Sequence, residues 1–228
     1  RTPGTTMQIA CGTSLQAALT LAAKIASGEI DSGIAAGSDT VSDSPIVFGN
    51  KFQHRLLDVN KARSTGEKFK AFKGFSFGEL TPVAPSVNEP RTGLSMGQHC
   101  ELMAREWGIT RQAQDELAVA SHRNAAKAYD EGFHDDLLVQ CAGLVRDNNV
   151  RADANLEKMA TLKPAFDKAS GHGTLTAGNS TPLTDGASAV LLASEDWAKE
   201  RGLPVLAWLT TGRVAGNDFA HGEGLLMA

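Results

Sequence analysis

From Ser14 onward Leu15, Ala18, Leu19, Ala22 and Ile25 recur at the spacing of one helix face, and Gly28 ends the run. Just before it, Met7 to Ala10 is short and largely apolar and reads as a strand, so the chain passes from strand to helix through Cys11, Gly12 and Thr13. A thiol at the head of a helix faces unpaired backbone N–H groups and the positive end of the helix dipole, both of which stabilise a thiolate. Cys11 is therefore either a small buried hydrophobe or a nucleophile, with small neighbours that let a substrate approach. Asp31 to Thr40 reads as a second buried strand ending in Gly37-Ser38-Asp39. Strand, cysteine, helix and strand in this order suit a βαβ crossover, with Cys11 buried at the junction.

The 228 residues suffice for one large or two ordinary domains, and 42% hydrophobic residues with 23 glycines fit an α/β protein with tight turns. A net charge of −4 with both signs spread along the chain argues against a nucleic-acid partner. Three cysteines far apart make neither a disulfide framework nor a zinc site, which favours a reducing, cytoplasmic setting. No apolar run reaches membrane-spanning length and no signal peptide is evident. The chain starts at Arg1 and stops in the apolar run Leu225-Leu226-Met227, so an internal piece of a longer protein is expected.

Ile46 to Pro90 is rich in Phe, Lys and Gly and reads as a long excursion with one short helix near Lys51–Asn60. Its alternating Lys and Phe could tack a loop onto the body, stripe an element or anchor an acyl chain. Leu94–Ile109 reads as an amphipathic helix closed by Gly108, and Thr110 caps another that runs to Gly132. His99 and Cys100 are adjacent and cannot share one helical face, so with His122 and His134 they predict no metal site. Leu137–Leu144 alternates as a strand would, with Cys141 as packing. Leu156–Phe166 reads as a short helix broken at Pro164. Gly173 to Leu192 is a hydroxyl- and glycine-rich turn able to offer backbone N–H groups, followed by a buried strand. Ser194 caps a helix ending near Gly202, Val205–Leu209 reads as a strand, and Gly216-Asn217-Asp218-Phe219 begins a further element.

Cys11-Gly12-Thr13-Ser14-Leu15-Gln16-Ala17, Ala36-Gly37-Ser38-Asp39 and Ser42-Asp43-Ser44-Pro45 resemble the acyl-CoA thiolases, as does the turn Thr176-Ala177-Gly178-Asn179, after which Thr181-Pro182 replaces the family's more usual Ser-Gly. Ser95-Met96-Gly97 before a helix and Trp107-Gly108-Ile109-Thr110-Arg111 resemble the thiolase loop domain. They lie closer to the β-subunit type of the fatty-acid-oxidation complex than to short-chain acetoacetyl-CoA thiolases. The resemblance implies an α/β, thiolase-like fold, part of a layered αβαβα arrangement with an inserted loop domain. Residues 1–48 would form the nucleophile half of the N-terminal domain, 49–170 the loop domain, 171–196 the return, and 197–228 the start of the C-terminal domain.

The same resemblance implies that Cys11 attacks a thioester substrate and that Met96, Arg151, Ala177 and Thr181 contact CoA. Read from the residues alone, Arg151 is equally an exposed loop arginine. CoA and acyl-CoA would be substrates, with no separate cofactor, in a homodimer or tetramer that could partner a hydratase/dehydrogenase α-subunit. Asn-Glu-Ala-Phe, Gly-His-Pro and Cys-x-Gly-Gly segments, which carry the rest of the family's catalytic set, have no match. This chain by itself is therefore expected to be inactive. Rival readings are an acetoacetyl-CoA-forming thiolase, a decarboxylating ketoacyl synthase and a non-catalytic acyl-CoA-binding subunit. A serine hydrolase using Ser14 is disfavoured, because no Gly-x-Ser-x-Gly elbow is present.

Overall fold

A computed structural model describes residues 2–224. Along the chain run α1 (Thr13–Ala26), β1 (Ser32–Asp39), β2 (Val47–Phe48), α2 (Asn50–Lys61), α3 (Thr65–Ala71) and β3 (Pro82–Val83). After these come α4 (Met96–Glu106), α5 (Arg111–Asp130), α6 (Leu156–Ala160), β4 (Gly186–Ala193) and α7 (Glu195–Glu200). The chain divides into two compact units, one holding residues up to Pro85 with Leu183–Val214, the other Ser86–Pro182 with residues from 215 onward. The sequence reading opens the loop domain at residue 49, whereas this first unit continues to Pro85.

In the first unit β1 pairs with β4, antiparallel, from Ser32 opposite Ala193 to Asp39 opposite Gly186. Ala36 faces Ala189, so two strands far apart in sequence share one sheet. Helix α1 lies on this pair because glycine stands where a side chain would collide. A Cβ built on Gly33 meets Leu21 at 2.9 Å, and one built on Gly37 overlaps the Ser14 hydroxyl. Ser14 and Leu21 are two turns apart on one face of the helix. They fall over opposite ends of β1, which brings the head of α1 to the strand's C-terminal end.

The expected βαβ unit does not form, because Met7–Ala10 is not a strand. Its backbone is taken by local side chains: Ile9 N donates to Thr13 Oγ1 at 3.0 Å and Ala10 N to Gln8 Oε1 at 2.6 Å. Such bonds compete with sheet ladders. Val205–Leu209 is also without strand structure, and Leu206 is 91% exposed. The excursion after β1 is more ordered than expected. Hairpin β2–β3 closes it, and Arg55 pins its interior through two bonds to Glu79 (2.6 and 3.0 Å) and three to the carbonyls of Ala71, Lys73 and Gly74.

The second unit holds most of the buried side chains, with Val119, Ala154 and Met159 packed together between α5 and α6. Its helices start at capping side chains, of which Thr110 alone was read from the sequence as a cap. Ser95 and Gln98 form a reciprocal capping box, Thr110 accepts from Ala113 N, and Asn155 accepts from Lys158 N. Leu137–Leu144 forms turns instead of the expected strand, Leu137 N and Leu138 N both donating to the His134 carbonyl. Cys141, expected as packing, is exposed.

Candidate functional site

Cys11 sits one residue before Gly12, the N-cap of α1. The turn that carries it is closed by Gly12 N to Ile9 O (3.2 Å), Thr13 N to Ala10 O (3.3 Å) and the Thr13 hydroxyl to Ala10 O (2.7 Å). Ala10 takes a left-handed conformation, φ +51°, which costs a side chain with a Cβ about 1–2 kcal/mol. An alanine held there is strained backbone directly beside the thiol. Ala10→Gly is expected to stabilise the chain by about 0.5–1 kcal/mol, the relieved strain less glycine's extra unfolded-state entropy, as read by urea denaturation.

The thiol is exposed, not buried as the strand-to-helix reading expects. With no strand formed over Met7–Ala10, no described element covers it. It opens on a cavity of about 470 Å³ whose walls include Ser14, Gly37, Asp39, Thr184 and Ser188. The sheet register explains the company: Gly37 faces Ser188 and Asp39 faces Gly186. One residue before β4, Asp185 accepts from the Ser42 hydroxyl and from Ser42 N at 2.9 Å, tying down the loop that follows β1. The hydroxyl, then the backbone N–H, hold the Asp185 carboxyl below the usual carboxylate range.

A depressed folded-state pKa means this tether contributes fully above the unfolded value of about 3.9 and is lost as pH falls through the lower folded one. Asp185→Asn is therefore expected to destabilise the chain at neutral pH. The difference from wild type should disappear well below about pH 4, which paired acid and urea titrations measure.

The other sequence-predicted site residues lie in the second unit. Met96 opens α4 and is 38% exposed. Arg151 is exposed. Its guanidinium donates to Asn148 O at 2.7 Å, and its backbone N–H donates to His122 Nδ1 at 3.2 Å. Ala177 and Thr181 are exposed on a turn whose shape is held from beneath. There Thr176, with no exposed surface, donates its N–H to Asn179 Oδ1 at 2.7 Å, and Asn179 Nδ2 donates to Asp115 Oδ1 at 2.9 Å and Thr174 O at 3.1 Å. Asp115 is buried and takes a 2.7 Å bond from Arg111 Nε, while the buried Glu101 carboxylate accepts from Thr174 N, Leu175 N and the Thr174 hydroxyl.

Sequence reasoning missed Glu101 and Asp115 as supports of this turn. Asn179 stood in the quoted motif, but its role as a staple did not show. Cys100 has no place in this chemistry: burial, then the adjacent Glu101 charge, push its thiol up. Among the described residues no group of three or more His, Cys, Asp and Glu is placed to hold a metal ion. A groove of about 500 Å³ between α5 and α6, with Glu116, Arg123 and Glu157 on its walls, contains none of the predicted site residues.

A cysteine on a strained turn at a helix head thus opens on the ends of two paired strands in an α/β protein. The chain belongs to the thiolase family: the family model of the thiolase N-terminal domain matches residues 1–196. It is 48% identical over 206 residues to a 3-ketoacyl-CoA thiolase of Serratia proteamaculans (strain 568) and 46% identical to one of Yersinia pestis (strain Pestoides F). Each match covers 88% of this chain and 47% of the relative, so the chain spans about half the length of the curated relatives it matches. Among solved structures, the Acat5 thiolase from Ascaris suum in complex with coenzyme A superposes with a TM-score of 0.65 at 26% identity, over 85% of this chain and 46% of that one. Human mitochondrial 3-ketoacyl-CoA thiolase in complex with CoA, at 24% identity, TM-score 0.63 and coverage of 85% and 45%, shares the fold. No described helix is long and apolar enough to cross a membrane.

Proposed function

We propose that this chain supplies the nucleophile and part of the CoA site of a 3-ketoacyl-CoA thiolase, acting in fatty-acid β-oxidation. The observation that carries the reading is the exposed Cys11 on its strained turn, facing the cavity at the ends of β1 and β4. The names of relatives 46–48% identical support it.

In the proposed reaction the Cys11 thiolate attacks the 3-keto carbonyl and forms a C–S bond. The C2–C3 bond then breaks, and its electron pair leaves on the acetyl-CoA carbon, which takes a proton. The thiol of a second CoA attacks the acyl-cysteine thioester and carries the acyl group away, and the cysteine sulfur is freed. Met96, Arg151, Ala177 and Thr181 are proposed as CoA contacts. A cytoplasmic homodimer or tetramer, with a hydratase/dehydrogenase subunit as partner, completes the proposal.

The test is thiolysis of acetoacetyl-CoA and longer 3-ketoacyl-CoA by CoA. It is measured on this chain alone and on the chain joined to the C-terminal half of the Serratia relative. Cys11-dependent turnover in the joined protein is expected, with none in the chain alone. Failure of the joined, folded protein to form an acyl-cysteine at Cys11 would overturn the reading in favour of a non-catalytic acyl-CoA-binding subunit.

A further inference from the structure

Asp115, His122 and Tyr129 lie seven residues apart on α5. That spacing is close to two helical turns, so the three stand in a row along one face, about 10 Å from one to the next. Each holds a different piece of the chain that follows the helix. Asp115 Oδ1 accepts from Asn179 Nδ2 at 2.9 Å, beneath the turn that carries Ala177 and Thr181. His122 Nδ1 accepts the Arg151 N–H at 3.2 Å, and the Tyr129 hydroxyl accepts the Asp147 N–H at 2.9 Å. One stripe of α5 thus fixes both the turn and the loop from which CoA contacts are proposed.

The middle anchor differs in kind from the other two. A backbone N–H can only donate, so His122 offers a lone pair on Nδ1 and carries its hydrogen on Nε2. A second proton on the ring removes that lone pair and sets N–H against N–H. The contact therefore exists with a neutral imidazole and is lost as pH falls through the range in which histidines ordinarily charge. Among the described residues the Arg151 N–H has no other acceptor.

The charged groups around this stretch of α5 offer a charged ring no compensation. Asp115 is met by Arg111 at 2.7 Å and Asp153 by Lys158 at 2.6 Å. Asp147 Oδ1 accepts from Asn149 N at 2.8 Å, and Arg123 and Glu157 line the groove between α5 and α6. The Arg151 guanidinium is itself a cation, donating to Asn148 O at 2.7 Å. No carboxylate pairs with His122 among the described residues. A second titratable ring, His134, stacks on Tyr129 with centroids 4.6 Å apart, at the loop's other anchor.

We infer that His122 is a positioning residue for CoA: neutral, it locks the Arg151 loop onto α5, and protonated, it releases that loop and weakens the hold on CoA. The inference rests on the reading of Arg151 as a CoA contact.

Two measurements on the purified chain test it, each at about pH 8 and about pH 5.5. The first is the Arg151 amide resonance by NMR. It should move between the two pH values in the wild type and stay in place in His122→Asn, whose Oδ1 stands where Nδ1 did and accepts at either pH. The second is CoA affinity by calorimetry. On going to the lower pH the wild type should weaken about threefold to tenfold more than His122→Asn, the ionisation of CoA itself being common to both. At the higher pH His122→Ala should bind about threefold to tenfold more weakly than the wild type, and His122→Asn should restore binding. Far-UV circular dichroism checks that the variants fold. An Arg151 amide indifferent to pH, a pH profile that His122→Asn leaves unchanged (as a relay through His134 would give), or no restoration by His122→Asn would each overturn the inference. No CoA binding at either pH, or undiminished binding by Arg151→Ala, would instead overturn the CoA reading beneath it. The wild-type amide decides the lock even if a variant misfolds.

Discussion

Cys11→Ala, in the chain joined to the C-terminal half of a full-length relative, is expected to lower thiolysis by about ten-thousand-fold or more. Losing a nucleophile removes the covalent route entirely, and the other groups cannot supply it separately. Substrate binding should survive, because the proposed CoA contacts at Met96, Arg151, Ala177 and Thr181 belong to other elements. The expected pattern is thus a collapse of kcat with KM for CoA little changed. Cys100→Ala and Cys141→Ala serve as controls and should keep activity within a few-fold. Peptide mass mapping after mild alkylation should find Cys11 modified readily and Cys100 slowly, since Cys11 is exposed and burial raises the Cys100 thiol. Equal loss of activity in all three variants would point to general damage and not to a nucleophile.

Glu101→Ala is expected to cost about 3–5 kcal/mol of stability, the largest single effect in the second unit. The side chain is 4% exposed, and both of its oxygens are used. Oε1 accepts from Thr174 N at 3.1 Å and Leu175 N at 2.9 Å, and Oε2 from Thr174 N at 3.0 Å and the Thr174 hydroxyl at 3.1 Å. Alanine strands these donors away from water and opens a void beneath the Thr174–Thr181 turn. Glu101→Gln keeps one acceptor oxygen and can turn its amide toward the Thr174 hydroxyl, so it should cost about 1–2 kcal/mol. Urea denaturation of both variants measures the difference. Indistinguishable losses would show that shape, not hydrogen bonding, holds the turn.

Elements with a local signal were legible in the sequence. The helices after Thr110 and Ser194 begin at the capping side chains read from the sequence, because a cap states its geometry within four residues, and the caps at Ser95 and Asn155 carry the same signal, unread there. The strands at 32–39 and 186–193 were legible as apolar runs flanked by turn residues, but both were expected buried, whereas only Ala35 of β1 is buried and no residue of β4 is, and their pairing needs partners about 150 residues apart. Short apolar stretches misled. Met7–Ala10, Leu137–Leu144 and Val205–Leu209 have strand-like composition, but a strand needs a neighbour to bond with, and none is offered among the described residues. In the candidate site, Cys11 and the Thr176–Thr181 turn announce themselves by motif. Glu101 and Asp115 do not, since a carboxylate on a helix looks the same whether it meets water or a backbone 73 residues away.

The β1–β4 pairing also constrains how the chain comes to be folded on the ribosome. Asp39 must wait for Gly186, made 147 residues later. At about 5–20 residues per second, that is roughly seven to thirty seconds in which β1 has no ladder partner. Residues 86–182 are complete before Gly186 is synthesised, so the packing of Val119 on Ala154 and Met159 can form during the delay. Birth order therefore favours the middle of the chain. The sheet beside Cys11 is closed last, and until then β1 presents open backbone to any passing strand.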